Sequence, residues 1–550
     1  MIPLAYKARL LKLKNLLIVL SLVSITLIVL LPSLYVTGLI LVNWRDIIEI
    51  VFFNPMIGSA YWTDILRYLG FSFKIALTTT VIDLLIGLPL AHFIARKEIR
   101  GRGLVEDIIM LTLVLPTSGF GFAILIAWSG ILKSHVLIPI IEVPVLIILA
   151  HVALTLPYVV KTLSAALKTV ERAYEIVSLS LGASPMTTFR KITLPMILPS
   201  IVSSATLALT RSLGETGATM VVAGVHVTAS IAIVKWVFEF KLEPAILLSS
   251  LLIIISLAII LPAERLARMR RPKSISFKRL ERHLVKVERI LPKPFYLLKD
   301  IIPLLLVVTL TIYPIATLLH TVFEYWERDP YTGKPEGGVV YYLYGPPSYF
   351  EKIISATLTS ILVALVSTLI STYISLLATF VIAKFKYGMF IRALLKVPLI
   401  IPTSSLGLSS LLFWGGLGVV KPSIWLTILT HIAFSVPIII ETTLSTYESI
   451  SIESLEEVSR TLGASPYVVA ETVTLPLMKR GIMAGAILAF AHSLGETGAT
   501  FLVMGKDVTV PVLVVNMVES LAIPAALFTA TYLIALSLIM FIIIRYLLVR

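Results

Sequence analysis

The pentapeptide LGASP occurs at residues 181–185 and again at 462–466, 281 residues later. At the same offset, the tripeptide TLP at 193–195 returns at 474–476, and the octapeptide SLGETGAT at 212–219 returns at 493–500. Three matches in one register indicate an internal duplication. Because the period is far longer than the roughly 20–50 residues of a solenoid repeat, each copy is expected to be a whole domain.

The composition places both copies in a membrane. Apolar residues make up 58% of the chain and charged residues only 14%, whereas soluble domains carry about 25% charged residues. Backbone groups in lipid must be satisfied within the chain, so long apolar segments predict helices. We predict an all-α polytopic membrane protein with about 12 transmembrane helices in two parallel six-helix repeats. The predicted spans are 16–42, 70–95, 106–128, 139–160, 197–222, 243–262, 301–323, 353–383, 394–416, 424–444, 481–504 and 522–544.

The distribution of basic residues predicts the domains and their orientation. We expect a first transmembrane domain at 1–262, a basic cytoplasmic linker at 263–300 and a second transmembrane domain at 301–550. With both termini in the cytoplasm, the predicted internal segments hold 33 of the 46 Lys and Arg residues, in agreement with the positive-inside rule. The net charge of +15 is thereby explained without a nucleic-acid partner. The linker is a plausible contact for lipid headgroups. We expect a multi-pass protein of the plasma membrane.

Each half carries an unusual cytoplasmic loop, at 168–195 and 449–476, which we call the first and second elbow. In the first, a helix over 168–181 is expected to end at Gly182, where a left-handed backbone is needed. Ser184 suits an N-cap and Pro185 the first position of a second helix, which is expected to end near Thr193. The second elbow repeats these residues as Gly463, Ser465 and Pro466.

The duplicated loop resembles the signature loop of the permease subunits of binding-protein-dependent ABC importers: Glu-Ala-Ala, three residues, Gly, and a Leu-Pro about a dozen residues later. In the second elbow, Glu457 stands six residues before Gly463, as in that family. The first elbow departs from this family pattern. Position 176, six residues before Gly182, is Ile, and the nearest acid, Glu175, lies one residue before it. The resemblance implies that each elbow docks into an ATPase subunit. The implied docking residues are Glu175, Gly182, Ala183, Ser184, Pro185, Glu457, Gly463, Ala464, Ser465 and Pro466.

The same resemblance implies the partners and the chemistry. No Gly-x-x-x-x-Gly-Lys-Ser/Thr phosphate loop occurs in the sequence, so we expect a transport subunit that is not itself an enzyme and holds no cofactor or metal. ATP would be used by two copies of a separate ATPase subunit, and an external solute-binding protein would deliver the solute. The fused form is similar to iron and thiamine permeases, and the octapeptide is similar to that of molybdate, tungstate and sulfate permeases. A small inorganic ion, such as one of these oxyanions or ferric iron, is the expected substrate.

Within the octapeptide, each half pairs an acid with a base in its fifth span. Glu215 follows Arg211 by four residues, and Glu496 follows His492 by four; residues at this spacing share a helical face. An ionised side chain in the membrane needs a partner or water. One interpretation is a network that only packs helices. The other places Arg211, Glu215, Thr216, His492, Glu496 and Thr497 along the translocation pathway.

A second class of transporter stays open on the sequence alone. Internal repeats and buried acids are also found in ion- or proton-coupled secondary transporters, although many of those repeats are inverted.

His151 and His431 occupy corresponding spans, six residues before a proline, and suit packing better than metal binding. Pro116 and Pro402 predict matching kinks in the third and ninth spans.

Overall fold

The computed structural model describes residues 19–54, 56–97, 102–130, 137–138, 142–268, 285, 288, 293–384 and 387–549. Most of the predicted linker and the N-terminal segment 1–18 lie outside the described residues. Ten described helices are long and apolar enough to cross a membrane, and two bent helix pairs can each supply one more. The predicted all-α polytopic fold is confirmed. Its strand content in the described residues is one short antiparallel bridge between Leu137–Ile138 and Val143–Pro144.

The helices of the first half run in chain order from α1 to α10. They are α1 Val19–Val42, α2 Gly58–Arg96, α3 Arg102–Val114, α4 Thr117–Ser129, α5 Val145–Thr169, α6 Arg172–Ser180, α7 Pro185–Leu213, α8 Gly217–Val222, α9 Ala229–Phe238 and α10 Leu242–Arg268. Two short helical turns, Trp44–Ile48 and Glu49–Phe53, follow α1.

The second half repeats the order with one addition, α12, in the loop after its first span. Its helices are α11 Lys293–Glu324, α12 Val339–Tyr344, α13 Tyr349–Lys384, α14 Gly388–Ile400, α15 Thr403–Gly415, α16 Ile424–Ser449, α17 Ile452–Thr461, α18 Pro466–Gly495, α19 Gly498–Val503, α20 Val510–Glu519 and α21 Ile523–Val549. A 3₁₀ turn, Pro335–Gly337, precedes α12.

The third and ninth spans bend sharply at proline, as predicted. The axes of α3 and α4 differ by 111°, and those of α14 and α15 by 102°. Pro116 and Pro402 lie at these bends with extended backbones, each as the residue before a new helix. Because proline has no N–H to donate, it tolerates the position before a first turn better than a helix interior.

The fifth and eleventh spans are not continuous helices, so the predicted spans 197–222 and 481–504 are wrong in this respect. The helix α7 ends at Leu213 and α8 begins at Gly217; α18 ends at Gly495 and α19 begins at Gly498. A polar side chain causes each restart. Glu215 Oε1 accepts a hydrogen bond from the backbone N–H of Ala218 at 3.1 Å, and so caps the new helix.

The elbows also differ from the prediction in two places. The expected helix over 168–181 is divided, because α5 ends at Thr169 and α6 starts at Arg172. The second helix does not end near Thr193 but continues to Leu213. A wide π-helical turn at Phe189–Thr193 ends two residues before Pro195, and such a turn allows a helix to pass a proline with local adjustment.

The first span of each half packs against helices of the other half. The helix α1 packs against α15 of the second half, where the backbone N–H of Val36 donates to Ser409 Oγ at 3.0 Å. The first span of the second half, α11, packs against α4 of the first. Both halves therefore contribute to a common core around the broken helices.

Candidate functional site

The helix breaks of the two halves meet at one place, which we call the central crossing: Pro116–Thr117, Gly214–Gly217, Pro402–Thr403 and Gly495–Gly498. The backbone of Gly214 lies against Pro402, and that of Gly495 lies against Pro116; an added methyl group would come within 2.9 and 3.0 Å of the proline Cα atoms. Glycine is required here by this close approach. Each break is thus packed against the proline bend of the opposite half.

The two acid–base pairs line this crossing. Arg211 Nη1 lies 2.8 Å from Glu215 Oε2, and His492 Nε2 lies 3.7 Å from Glu496 Oε2. Glu496 Oε1 also accepts from the backbone N–H of Ala499 at 3.2 Å, and so repeats the helix cap of the first half. Both carboxylates are almost fully buried, and each is held by one base and one backbone donor.

A small cavity adjoins the crossing, and residues of both acid–base pairs border it. Its volume is about 20 Å³, which is enough for about one water molecule and too little for a tetrahedral oxyanion. The central crossing is closed in this structure. The lining residues are Thr112, Leu113, Leu115, Thr117, Leu154, Tyr158, Arg211, Ala491, His492, Gly495 and Glu496.

A buried histidine clamps each helix break. His151 Nδ1 lies 2.7 Å from Ser212 Oγ, before the break, and its Nε2 lies 2.9 Å from Thr219 Oγ1, after it. In the second half His431 makes the same contacts with Ser493 and Thr500, at 2.6 and 2.9 Å. Both nitrogens of each ring are engaged by hydroxyl groups, so these histidines hold the broken helices in register.

The elbows have the backbone that their sequence predicts. Gly182 and Gly463 have φ angles of +85° and +91°. The N–H of Ala183 bonds to the carbonyl of Ser178, and that of Gly182 to Leu179, which is the bonding of a Schellman helix end. Ala464 and Gly463 repeat these bonds. Ser184 and Ser465 each cap the following helix, with Pro185 and Pro466 at its first position.

Each elbow is anchored by a glutamate, and the two glutamates lie one repeat apart; Glu175 is half-buried and Glu456 is buried. Glu175 accepts hydrogen bonds from Arg96 at 3.0 Å and from Thr193 at 2.8 Å. At the offset of 281 residues, Glu456 accepts from Lys384 and, at 2.6 Å, from Thr474. Glu175 and Glu456 therefore occupy the same position of the repeat, and the acid of the first elbow is not shifted along the chain relative to that of the second.

The sequence comparison paired Glu175 with Glu457, but Glu457 is exposed and the structural counterpart is Glu456. Comparing the acids at the repeat offset would have found this residue. The anchors also attach each elbow to the end of a spanning helix, since Arg96 ends α2 and Lys384 ends α13.

The first elbow has an additional contact from the predicted linker. The Glu288 carboxylate accepts from the hydroxyl groups of Ser184 and Thr187, the latter at 2.7 Å, and from Arg190 at 2.8 Å. Burial raises the pKa of the Glu288 carboxyl, but these three hydrogen bonds outweigh it, and the pKa lies below its ordinary value. A carboxylate beside Ser184 also stabilises the start of α7.

The predicted site residues form two separate groups. Arg211, His492 and Glu496 border the same cavity, and Glu215 pairs with Arg211. Thr216 and Thr497 lie against Gly498 and Gly217 across the crossing. The predicted docking residues lie instead in the two elbows, at the far ends of α7 and α18.

Comparison with known proteins identifies the family. Residues 83–274 match the family described as the binding-protein-dependent transport system inner membrane component. The molybdate/tungstate transport system permease protein WtpB of Pyrococcus abyssi is 32% identical over 208 residues, which are 38% of this chain and 80% of the relative. The chain belongs to this family of ABC importer permeases.

Other relatives of this permease carry related names. The molybdenum transport system permease protein ModB of Mycobacterium bovis is 33% identical over 198 residues, covering 34% of this chain and 75% of the relative. A probable sulfate transport system permease protein, cysT, of Marchantia polymorpha is 29% identical over 212 residues, covering 37% and 74%. In each case less than half of this permease spans most of the relative.

Proposed function

We propose that this chain is the fused permease of an ATP-driven importer that moves a tetrahedral oxyanion, such as molybdate, tungstate or sulfate, into the cell. The permease domains would be residues 1–262 and 301–550, joined by the linker at 263–300. The oxyanion class is supported by the names of three relatives and by Arg211 beside the central cavity. A cation such as ferric iron fits that guanidinium less well.

The twin elbows carry the proposal. Each has an apolar face that is exposed at the same three positions one repeat apart. Tyr174, Val177 and Leu181 are 51%, 57% and 83% exposed, and Leu455, Val458 and Leu462 are 42%, 57% and 84% exposed. Positions spaced by three and seven residues lie on one face of a helix. Two matched apolar faces of this kind suit insertion into grooves of two partner subunits.

The anchors give a route from the docked elbows to the membrane. A displacement of the first elbow moves the end of α2 through Glu175 and Arg96, and the second elbow moves α13 through Glu456 and Lys384. Both elbows also continue directly into the helices that end at the central crossing. We propose that two ATPase subunits close on the elbows and thereby open and close this crossing.

The partners and the orientation follow from that assignment. ATP would be bound and hydrolysed by the two ATPase subunits, because the sequence of this chain holds no phosphate loop. The elbows would face the cytoplasm together with both termini, and a solute-binding protein would dock on the outer face. The permease would hold no cofactor or metal of its own.

Reconstitution tests the proposal. The chain is co-expressed with the ATPase of its transport system, purified, and placed in liposomes with the binding protein outside. Uptake of molybdate, tungstate or sulfate that needs internal ATP is the expected result, with ferric complexes compared in parallel. Uptake by the chain alone, driven by an ion gradient, would instead show a secondary transporter.

Replacing the exposed apolar face tests the docking assignment separately. Leu181→Ser and Leu462→Ser remove side chains that pack on little within the chain, so the fold should remain and ATPase association should weaken. Leu417→Ser, at another exposed leucine away from the elbows, is the matched control. ATPase association that stays at the native level in both elbow variants would contradict the docking role.

A further inference from the structure

Five described helices of this permease end in the same hydrogen-bonded turn, but with different residues at its left-handed position. After α15 that residue is Gly418, where the N–H of Val419 bonds to Trp414 and that of Gly418 to Gly415. In the elbows that residue is Gly182 or Gly463. After α9 and α20 it is Phe240 or Leu521, with φ angles of +57° and +58°. The N–H of Lys241 bonds to Trp236 and that of Phe240 to Val237, and Ala522 and Leu521 repeat these two bonds.

A bulky side chain is strained in this conformation, and glycine is the residue that adopts it freely. Among the described non-glycine residues with positive φ, Phe240 and Leu521 are the ones with large apolar side chains. They lie one repeat apart, at the same turn of each half. Strained positions of this kind persist where the surrounding structure or a function requires them.

Packing within the chain does not account for either side chain. Phe240 is 89% exposed and Leu521 is 77% exposed. The apolar contact that stabilises such a helix end is made by the residue after the left-handed one, and not by the left-handed residue itself. The chain therefore keeps two strained, apolar side chains that its own fold does not bury.

The first of these turns lies on the side of the membrane opposite the elbows. Tyr61, near the start of the 39-residue helix α2, lies beside Lys241 of the turn, with the ammonium 5.9 Å from the ring centroid. Arg96, at the other end of α2, binds Glu175 of the first elbow. At 1.5 Å per residue, the 35 residues from Tyr61 to Arg96 separate the turn from the elbow by roughly 53 Å.

The turns also flank the central crossing. Phe238, two residues before Phe240, packs edge to face on Phe501 of the opposite half, with ring centroids 5.4 Å apart. The helix α9 packs against α15 and α19, and α20 packs against α4 and α8. The turns after α9 and α20 thus follow helices that pack on the elements of the crossing, and each turn carries one exposed apolar side chain.

We infer that Phe240 and Leu521 are paired docking contacts for the external solute-binding protein. The inference rests on the proposed function, because it needs a binding protein to deliver solute at this face. A binding protein placed over the crossing would meet both side chains at once. Buried aromatic and aliphatic anchors of this type dominate the affinity of protein interfaces.

The test uses a substitution that should favour the fold while removing the contact. Phe240→Gly and Leu521→Gly place the preferred residue at the left-handed position, so the melting temperature should be unchanged or higher. Affinity for the solute-binding protein should fall on the order of tenfold in each variant, as for other interface anchors. The binding protein used is the one that supports uptake by the native permease with its ATPase, measured on complexes in lipid nanodiscs.

The control exchanges the two side chains. Phe240→Leu with Leu521→Phe keeps an apolar group at both turns and should hold the affinity within a few-fold of native. Glycine variants that bind as tightly as the native permease would overturn the inference and show that lipid or solvent covers these residues. A lowered melting temperature with native affinity would also overturn it. A native permease that binds no solute-binding protein would reject the proposed function itself.

Discussion

Gly217 lies against Thr497 of the opposite half, where a methyl group added to the glycine would be 2.7 Å from the threonine hydroxyl oxygen. Gly498 has the same relationship with Thr216, at 2.8 Å. The broken helices of the two halves thus touch at the centre of the permease with no room for a side chain.

The first prediction concerns this contact. Gly217→Ala places a methyl group inside contact distance of Thr497 and of Thr117, at 2.5 Å from the latter's hydroxyl oxygen, so we expect a loss of about 1–3 kcal/mol of stability. Gly70→Ala, in α2 with no neighbour within 4 Å, is the control and should be neutral or stabilising. Thermal unfolding in detergent measures both. Equal melting temperatures for the two variants would refute the close packing.

The second prediction separates two adjacent glutamates of the second elbow. Burial raises the pKa of the Glu456 carboxyl, but its hydrogen bonds with Lys384 and Thr474 outweigh this effect and the pKa lies below its ordinary value. Glu456→Gln leaves Lys384 without its charged partner, and we expect a loss of about 1–3 kcal/mol. Glu457→Gln, at an exposed position, should leave the melting temperature unchanged and weaken ATPase association.

Melting temperatures and ATPase co-purification distinguish the two roles of these glutamates. If Glu457→Gln lowered the melting temperature as much as Glu456→Gln, the structural assignment of the anchor would be wrong.

The third prediction is a pH dependence that arises from Glu288. Because its folded pKa is depressed below the ordinary value of 4.5, its stabilisation is complete above that value and disappears as the pH falls through the lower folded pKa. Glu288→Gln should lower the melting temperature at pH 6, and the difference from the native protein should shrink below about pH 4. Glu336→Gln, at an exposed residue of the loop before α12, is the control. A difference that stays constant across this range would exclude the carboxylate as its source.

The fourth prediction concerns the acid of the second half. Glu496→Ala removes the cap of α19, which costs about 1 kcal/mol, and it removes the partner of His492 beside the cavity. Uptake into liposomes should therefore fall more than the folded yield does. Glu351→Ala, at an exposed acid in the first turn of α13, should preserve both. Native uptake per folded molecule in Glu496→Ala would reject a pathway role.

Local signals in the sequence were sufficient for the turn of each elbow, although not for the lengths of its helices. Gly182 and Ser184 are the residue types that end and restart a helix, and the observed φ angle and cap agree with them. The kinks at Pro116 and Pro402 were predictable for the same reason, since proline acts on its own neighbours.

The helix breaks were not predicted, because the octapeptide contains no proline and glutamate is not among the preferred helix caps. In the structure Glu215 caps the helix that follows the first break, and Gly214 lies against Pro402 of the other half, a contact between residues distant in sequence.

The identity of the elbow anchor was missed because Glu456 and Glu457 are adjacent and the family pattern favoured Glu457. The repeat offset from Glu175 points to Glu456, and the tertiary contact with Lys384 agrees with it. The left-handed backbone of Phe240 could not be predicted either, because a bulky residue such as phenylalanine disfavours a positive φ angle.

Arg211 and His492 occupy the same position in the two copies and border one shared cavity. In an assembly of two identical polypeptides, any change at this position would appear twice, and the centre would hold two arginines or two histidines. Joining the copies covalently removes that restriction. Each side could then diverge by single substitutions, so that one strong, permanent cation stands opposite a weaker and titratable base.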